Sequence, residues 1–258
     1  NTLASGAPEL FLGKMQSMVE AGYFSRAQGL VSMFQRLVMD AVNAVALPYF
    51  ARQSREAHDL GSTFIIAMEL VTGLAWPFFI GIAILAHPAI AILYGNQWGE
   101  AVDPARWLAL SCAIGIPSSV CYTPLVAVGA ANETLKIAFV GTVLVLVATL
   151  LGAAADLVIL SQLLGVAAAL SAILWLRLAK RRLEFSAAAL WRCWFKSLVL
   201  AVATAAVPLA VITEMGWRSP QIILSTSIAA VGGALGFLLA AWLTKHQVWI
   251  EFCKLIRR

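Results

Sequence analysis

Charge is what this chain has least of. Asp, Glu, Lys and Arg make up 12% of its 258 residues, about half the share usual in a soluble domain. Its four cysteines, Cys112, Cys121, Cys193 and Cys253, are scattered and form no C-x-x-C pair, and His58, His87 and His246 are equally dispersed. That pattern leaves no metal-ligand spacing and no disulfide framework. No Lys-Ser or Lys-Thr follows Gly232, Gly233 and Gly236, so a phosphate-binding loop is the poorer reading of them. Residues 1–13 are apolar, too short to span a bilayer, and lack a charged leader. They read as the tail of a helix, not as a signal peptide. His87 is accompanied by no nucleophile–base pair, so no catalytic residue is assigned.

What is abundant is apolar sequence, at 61% of the chain. Uncharged stretches recur at 70–99, 107–132, 137–155, 157–176, 197–213 and 219–244. A membrane helix needs about 20 such residues. The fold class is therefore all-α, a polytopic transmembrane helical bundle. The expected spans are A (25–50), B (60–85), C (106–127), D and E (137–176, turning at 152–156), F (197–213) and G (219–244). A polar link is expected at 14–22. A basic link carrying Trp191 and Trp194 is expected at 177–196, in the headgroup layer. Gly232, Gly233 and Gly236 in span G fit close helix packing.

Lys and Arg alternate in density from loop to loop. One side holds Arg52, Arg55, Lys136, Arg192, Lys196, Lys245, Lys254, Arg257, Arg258 and the basic residues of 177–182; the other holds Lys14, Arg106 and Arg218. The rich side is expected to be cytoplasmic, and the C-terminus with it. The net charge of +5 belongs to these loops and to anionic membrane lipids, with no nucleic-acid partner implied.

Span A carries the chemistry. Ser25, Gly29, Ser32, Arg36, Asp40 and Asn43 fall within about 40° of one direction on a helix. Arg36 and Asp40 are one turn apart and can pair. A charge at membrane depth costs several kcal/mol and is by default a functional-site candidate. Two readings stand side by side: a cavity charge pair that meets an anionic substrate, or a structural ion pair between helices. Arg26 reads as an interfacial residue that snorkels or guards the cavity mouth. Glu69 on span B is a possible coupling or cavity residue, or an acid near the interface.

Particular motifs carry a resemblance. Residues 22–28 read Gly-Tyr-Phe-Ser-Arg-Ala-Gln, and span A ends in Leu47-Pro48 before a charged loop. Residues 93–101 read Leu-Tyr-Gly-Asn-Gln-Trp-Gly-Glu-Ala, and 129–133 read Gly-Ala-Ala-Asn-Glu. Their order and spacing resemble the C-terminal half of the polysaccharide and O-antigen (lipopolysaccharide) flippases of the multidrug/oligosaccharidyl-lipid/polysaccharide exporter superfamily. The likeness covers 1–180 by motif and order and 181–258 by span count. It implies two six-helix lobes about a central cavity. Residues 1–180 would be the second lobe, with the end of one truncated helix plus five spans. Residues 181–258 would be the basic interfacial link, two additional helices and a cytoplasmic tail.

A missing N-terminal lobe is then an expected partner, and the chain is expected to be a fragment. The resemblance further implies flipping of an undecaprenyl-pyrophosphate-linked oligosaccharide across the bacterial inner membrane, with Arg26, Ser32, Arg36, Asp40 and Asn43 meeting the substrate and no cofactor required. Two alternatives belong to other classes. A cation-coupled small-molecule or drug antiporter would need paired intramembrane acids, for which only Asp40 and Glu69 are candidates. A membrane glycan polymerase or ligase would need a sizeable outer loop, and the outer loops here are short.

Overall fold

The computed structural model describes residues 2–34, 60–215 and 222–250. Among these the regular structure is helical, with no strand. The first two helices are α1 (Thr2–Met15) and α2 (Met18–Phe34). The polar link expected at 14–22 shrinks to a break at Gln16-Ser17. Ser17 explains it: its Oγ accepts a hydrogen bond from the Glu20 N–H at 3.1 Å. Ser-x-x-Glu is a helix-start signature that satisfies otherwise orphaned donors, so α2 begins seven residues before expected span A. The rest of span A, with Arg36, Asp40 and Asn43, lies outside the described residues.

Helix α3 (Leu60–Tyr94) has 35 residues, with Pro77 and Pro88 inside it. It outruns expected span B because a proline in an apolar helix frees one carbonyl without ending the helix. Gly95 ends it at a φ of 96°, a conformation natural only to glycine. A 3-10 turn, Asn96–Ala101, leads into α4 (Val102–Ala127). Gly129 closes α4 at a φ of 80°. The Ala130 N–H bonds the Leu125 carbonyl and the Gly129 N–H bonds the Val126 carbonyl. That pairing satisfies the last carbonyls of the helix.

The 40 apolar residues from 137 fold as the expected hairpin, α5 (Ala131–Ala153) and α6 (Leu157–Leu183). Gly152 lets the arms close: a Cβ there would overlap the Leu160 backbone. Helices α7 (Ala187–Met215) and α8 (Ile222–Leu243) complete the order. The basic link expected at 177–196 is not a separate segment. Helix α6 runs through it to Leu183, turns at Glu184 (φ 50°), and α7 begins at Ala187. Its Lys and Arg residues ride on helix ends.

Helix α4 is central, packed on α6, α3 and α2; α5 lies against α6 and α1. Helix α7 packs along α3 and against α8. Small residues set the closest approaches. Gly165 faces Ser111, and Gly232, Gly233 and Gly236 face Val207, Thr204 and Ala203, so the glycines of span G pack as expected. Phe24, Phe64, Met68, Ile90, Leu125 and Leu160 are fully buried. Large apolar side chains such as Phe139, Leu151, Leu235 and Trp242 point outward. Six of the described helices are long and apolar enough to cross a bilayer. The chain is a multi-pass membrane protein.

Candidate functional site

Polar chemistry gathers at the two ends of α3, with a cavity between them. At the Tyr94 end, the guanidinium of Arg26 lies 5.3 Å from the Tyr94 ring centroid and 5.1 Å from that of Trp98. Tyr23 meets Trp98 edge-on at 5.7 Å. Gly22, Arg26 and Gly29 share one face of α2. Gly22 lies against the Trp98 ring and Gly29 against the Tyr94 hydroxyl. The two motifs at 22–28 and 93–101, about 70 residues apart, therefore meet in space. Arg26 itself is exposed. Two aromatic faces attract its charge, and it makes no ion pair to any described residue.

Ser32 takes a different direction. It lines a cavity of about 400 Å³ between α1, α2, α3, α4, α5 and α6, together with Gln28, Ser111, Cys112 and Ser119 on otherwise apolar walls. Its Oγ donates to the Gly29 carbonyl at 3.1 Å. The structure thus separates Arg26 from Ser32: one sits in an aromatic clamp at a helix end, the other on the wall of the lobe interior. Arg36, Asp40 and Asn43 lie outside the described residues.

Glu69 lies toward the other end of α3, buried to 6% exposure. Its Oε1 accepts from Lys196 Nζ at 3.1 Å and from the Gln247 backbone N–H at 3.3 Å. Beside it, Thr72 Oγ1 and Ser197 Oγ are 2.8 Å apart, and Ser197 Oγ is 3.3 Å from His246 Nε2. His246 is fully buried. Its ring stands over Gly73, where a Cβ would come within 2.8 Å of Nε2. A junction of α3, α7 and the turn after α8 results.

The hydrogen bonds of this junction have a fixed direction. The Val248 N–H donates to His246 Nδ1 at 3.3 Å, so Nδ1 is the lone-pair nitrogen and Nε2 carries the proton. His246 Nε2 then donates to Ser197, Ser197 to Thr72, and Thr72 to the Met68 carbonyl at 2.7 Å. In this order His246 Nε2 donates toward Ser197 and does not accept its proton. Burial pushes the imidazole down to about 4; Glu69 opposes this shift and Lys196 adds to it. The site residues sequence reasoning missed are here: Gly73, Thr72, Lys196, Ser197 and His246. The one local signal was a small face, Thr72-Gly73, within a turn of a lone acid.

At this same end, Arg182 pairs with Glu133, joining the close of α6 to the start of α5. Lys136, Arg177 to Arg182, Lys196 and Lys245 therefore gather at one end of the bundle. The Arg26 clamp and the Asp103–Arg106 pair stand at the other.

Comparison with known proteins meets this geometry at its N-terminal part. Residues 1–103 match the family described as polysaccharide biosynthesis protein. That range contains α1 to α3, the whole Arg26 clamp and Glu69, and it stops short of Lys196 and His246. The chain is 28% identical over 129 residues to the succinoglycan biosynthesis transport protein ExoT of Rhizobium meliloti (strain 1021). The alignment covers 50% of this chain and 26% of that protein, so it spans about a quarter of the relative's length. No solved structure matches.

Proposed function

We propose, on the premise that this chain is a relative of the polysaccharide biosynthesis and transport proteins, that it forms part of a polysaccharide exporter. Its cargo is a lipid-linked oligosaccharide on an undecaprenyl-pyrophosphate carrier, and it moves the polar head across the bacterial inner membrane without catalytic chemistry. The basic end faces the cytoplasm, carrying the C-terminus with it, and the Arg26 clamp faces outward. Residues 1–180 act as one wall of the translocation path, opposite a facing first lobe, with 181–258 as an added helical pair. Arg36, Asp40 and Asn43 would carry the polar path through the membrane, and Ser32 borders it.

The observation that carries this reading is the meeting of 22–28 with 93–101. Two flippase-like motifs build one clamp, and it holds an exposed cation. A guanidinium fork suits phosphate or carboxylate acceptors. The antiporter reading is weaker because Glu69, one of its two acids, is engaged by Lys196 and Gln247. Depleting the protein from its own cells tests the proposal. Lipid-linked oligosaccharide should accumulate and surface polysaccharide should fall. Unchanged levels of both would overturn it.

A further inference from the structure

We infer that the turn after α8 is a proton-operated catch, which fastens the α7–α8 pair onto α3 while His246 is neutral and releases it when His246 takes a second proton. The argument starts from space. His246 sits in a recess that exists because residue 73 is glycine; any Cβ there would collide with the ring. Held in that recess, each imidazole nitrogen has one defined task. Nδ1 accepts from the Val248 N–H, and Nε2 donates into the chain Ser197–Thr72–Met68. The same turn presents the Gln247 N–H to Glu69 and returns the His246 N–H to the Ala241 carbonyl. Neutral histidine therefore satisfies the junction completely.

A proton on Nδ1 ends that arrangement. It sets an N–H against the Val248 N–H and places a cation in a buried recess. Among the described residues, the charged groups around the ring do not rescue it. From α3 it faces Glu69, whose carboxylate is already shared between Lys196 and the Gln247 N–H. From α7 it faces the Lys196 ammonium, which repels it, and the buried thiol of Cys193. Its own turn contributes Lys245, at a φ of 47° and exposed. Helix α8 carries no titratable side chain. The sign follows. The closed form holds the imidazole at about 4, and the released form returns to about 6.5. The closed form is therefore fully favoured above about 6.5 and loses ground as pH falls toward 4.

Amide hydrogen exchange on the whole chain in lipid nanodiscs tests this, because the Gln247 and Val248 amides are themselves held by the catch. Rates are corrected for the intrinsic pH dependence of exchange. Protection at 247–248 should fall by roughly tenfold or more between pH 7 and pH 4, while the amides of 232–236 in α8 keep theirs. Unchanged protection at 247–248 would overturn the inference. His246→Gln removes the titrating group, so protection should no longer depend on pH, whether it is high or low throughout. A fall like that of the unmodified protein would assign the response to Glu69 and sink the idea. Gly73→Ala fills the recess and should expose 247–248 already at pH 7; full protection there would likewise refute it.

Discussion

Removing Lys196 should harm the protein more than removing Glu69. The two side chains are unequal: that of Lys196 is 39% exposed and that of Glu69 is 8% exposed. In Glu69→Ala the ammonium is left on a flexible stem and can turn to water, so the loss is about 1 kcal/mol. In Lys196→Ala a carboxylate is stranded in the junction with the Gln247 N–H as its remaining donor. Removing one partner of a buried ion pair is strongly destabilising because the other charge is left uncompensated. The expected loss for Lys196→Ala is therefore about 2–4 kcal/mol. The double variant should lie near Glu69→Ala alone. Chemical denaturation in detergent micelles measures all three. A Lys196→Ala loss no larger than that of Glu69→Ala would refute the buried-pair account. The double variant also separates two roles. If it exports polysaccharide at matched protein level, the pair holds the architecture; lost export means that the Glu69 carboxylate takes part in transport.

Other outcomes follow from other contacts. Gly152→Ala should destabilise the α5–α6 hairpin by about 2 kcal/mol or more, because the added Cβ meets backbone that cannot rotate away; thermal denaturation reads it. Trp98→Ala should lose about 0.5–1 kcal/mol in a double-mutant cycle with Arg26→Ala, the range of an exposed cation–aromatic contact, and a coupling of zero would dissolve the clamp. Arg26→Ala should lower surface polysaccharide more than Arg26→Lys, since lysine keeps the charge without the planar fork. A reporter active only outside the cytoplasm, fused after Arg258, should stay silent; a strong signal there would invert the orientation.

Spans B to G were legible because uncharged runs and their punctuation are local properties. The 152–156 hairpin and the glycine-faced packing of span G needed nothing else. Besides the far end of span B, two boundaries were misread for physical reasons. Polarity at 14–22 looked like a loop, yet Ser17 and Glu20 start a helix. The Lys/Arg density of 177–196 looked like a surface link, yet a helix end near the headgroups carries charge without unwinding. The clamp was half legible: both motifs stood out, and nothing local says that Arg26 meets Tyr94 and Trp98. The Glu69 junction was illegible. Its partners lie 127 and 178 residues away, and Gly73 shows its purpose only when His246 is seen above it.

The length of α3 acts as a ruler laid across the bilayer. Its 35 residues would reach about 52 Å if straight, against a hydrocarbon layer of about 30 Å. From Glu69 to Tyr94 the rise is about 37 Å, slightly more than that layer. A helix of this span can place its two polar joints in opposite headgroup zones at once, with its apolar middle immersed. The Glu69–Lys196 pair and the Arg26 clamp then behave as mooring points that fix tilt and depth. A thinner or thicker membrane would load one of them before it disturbed the core.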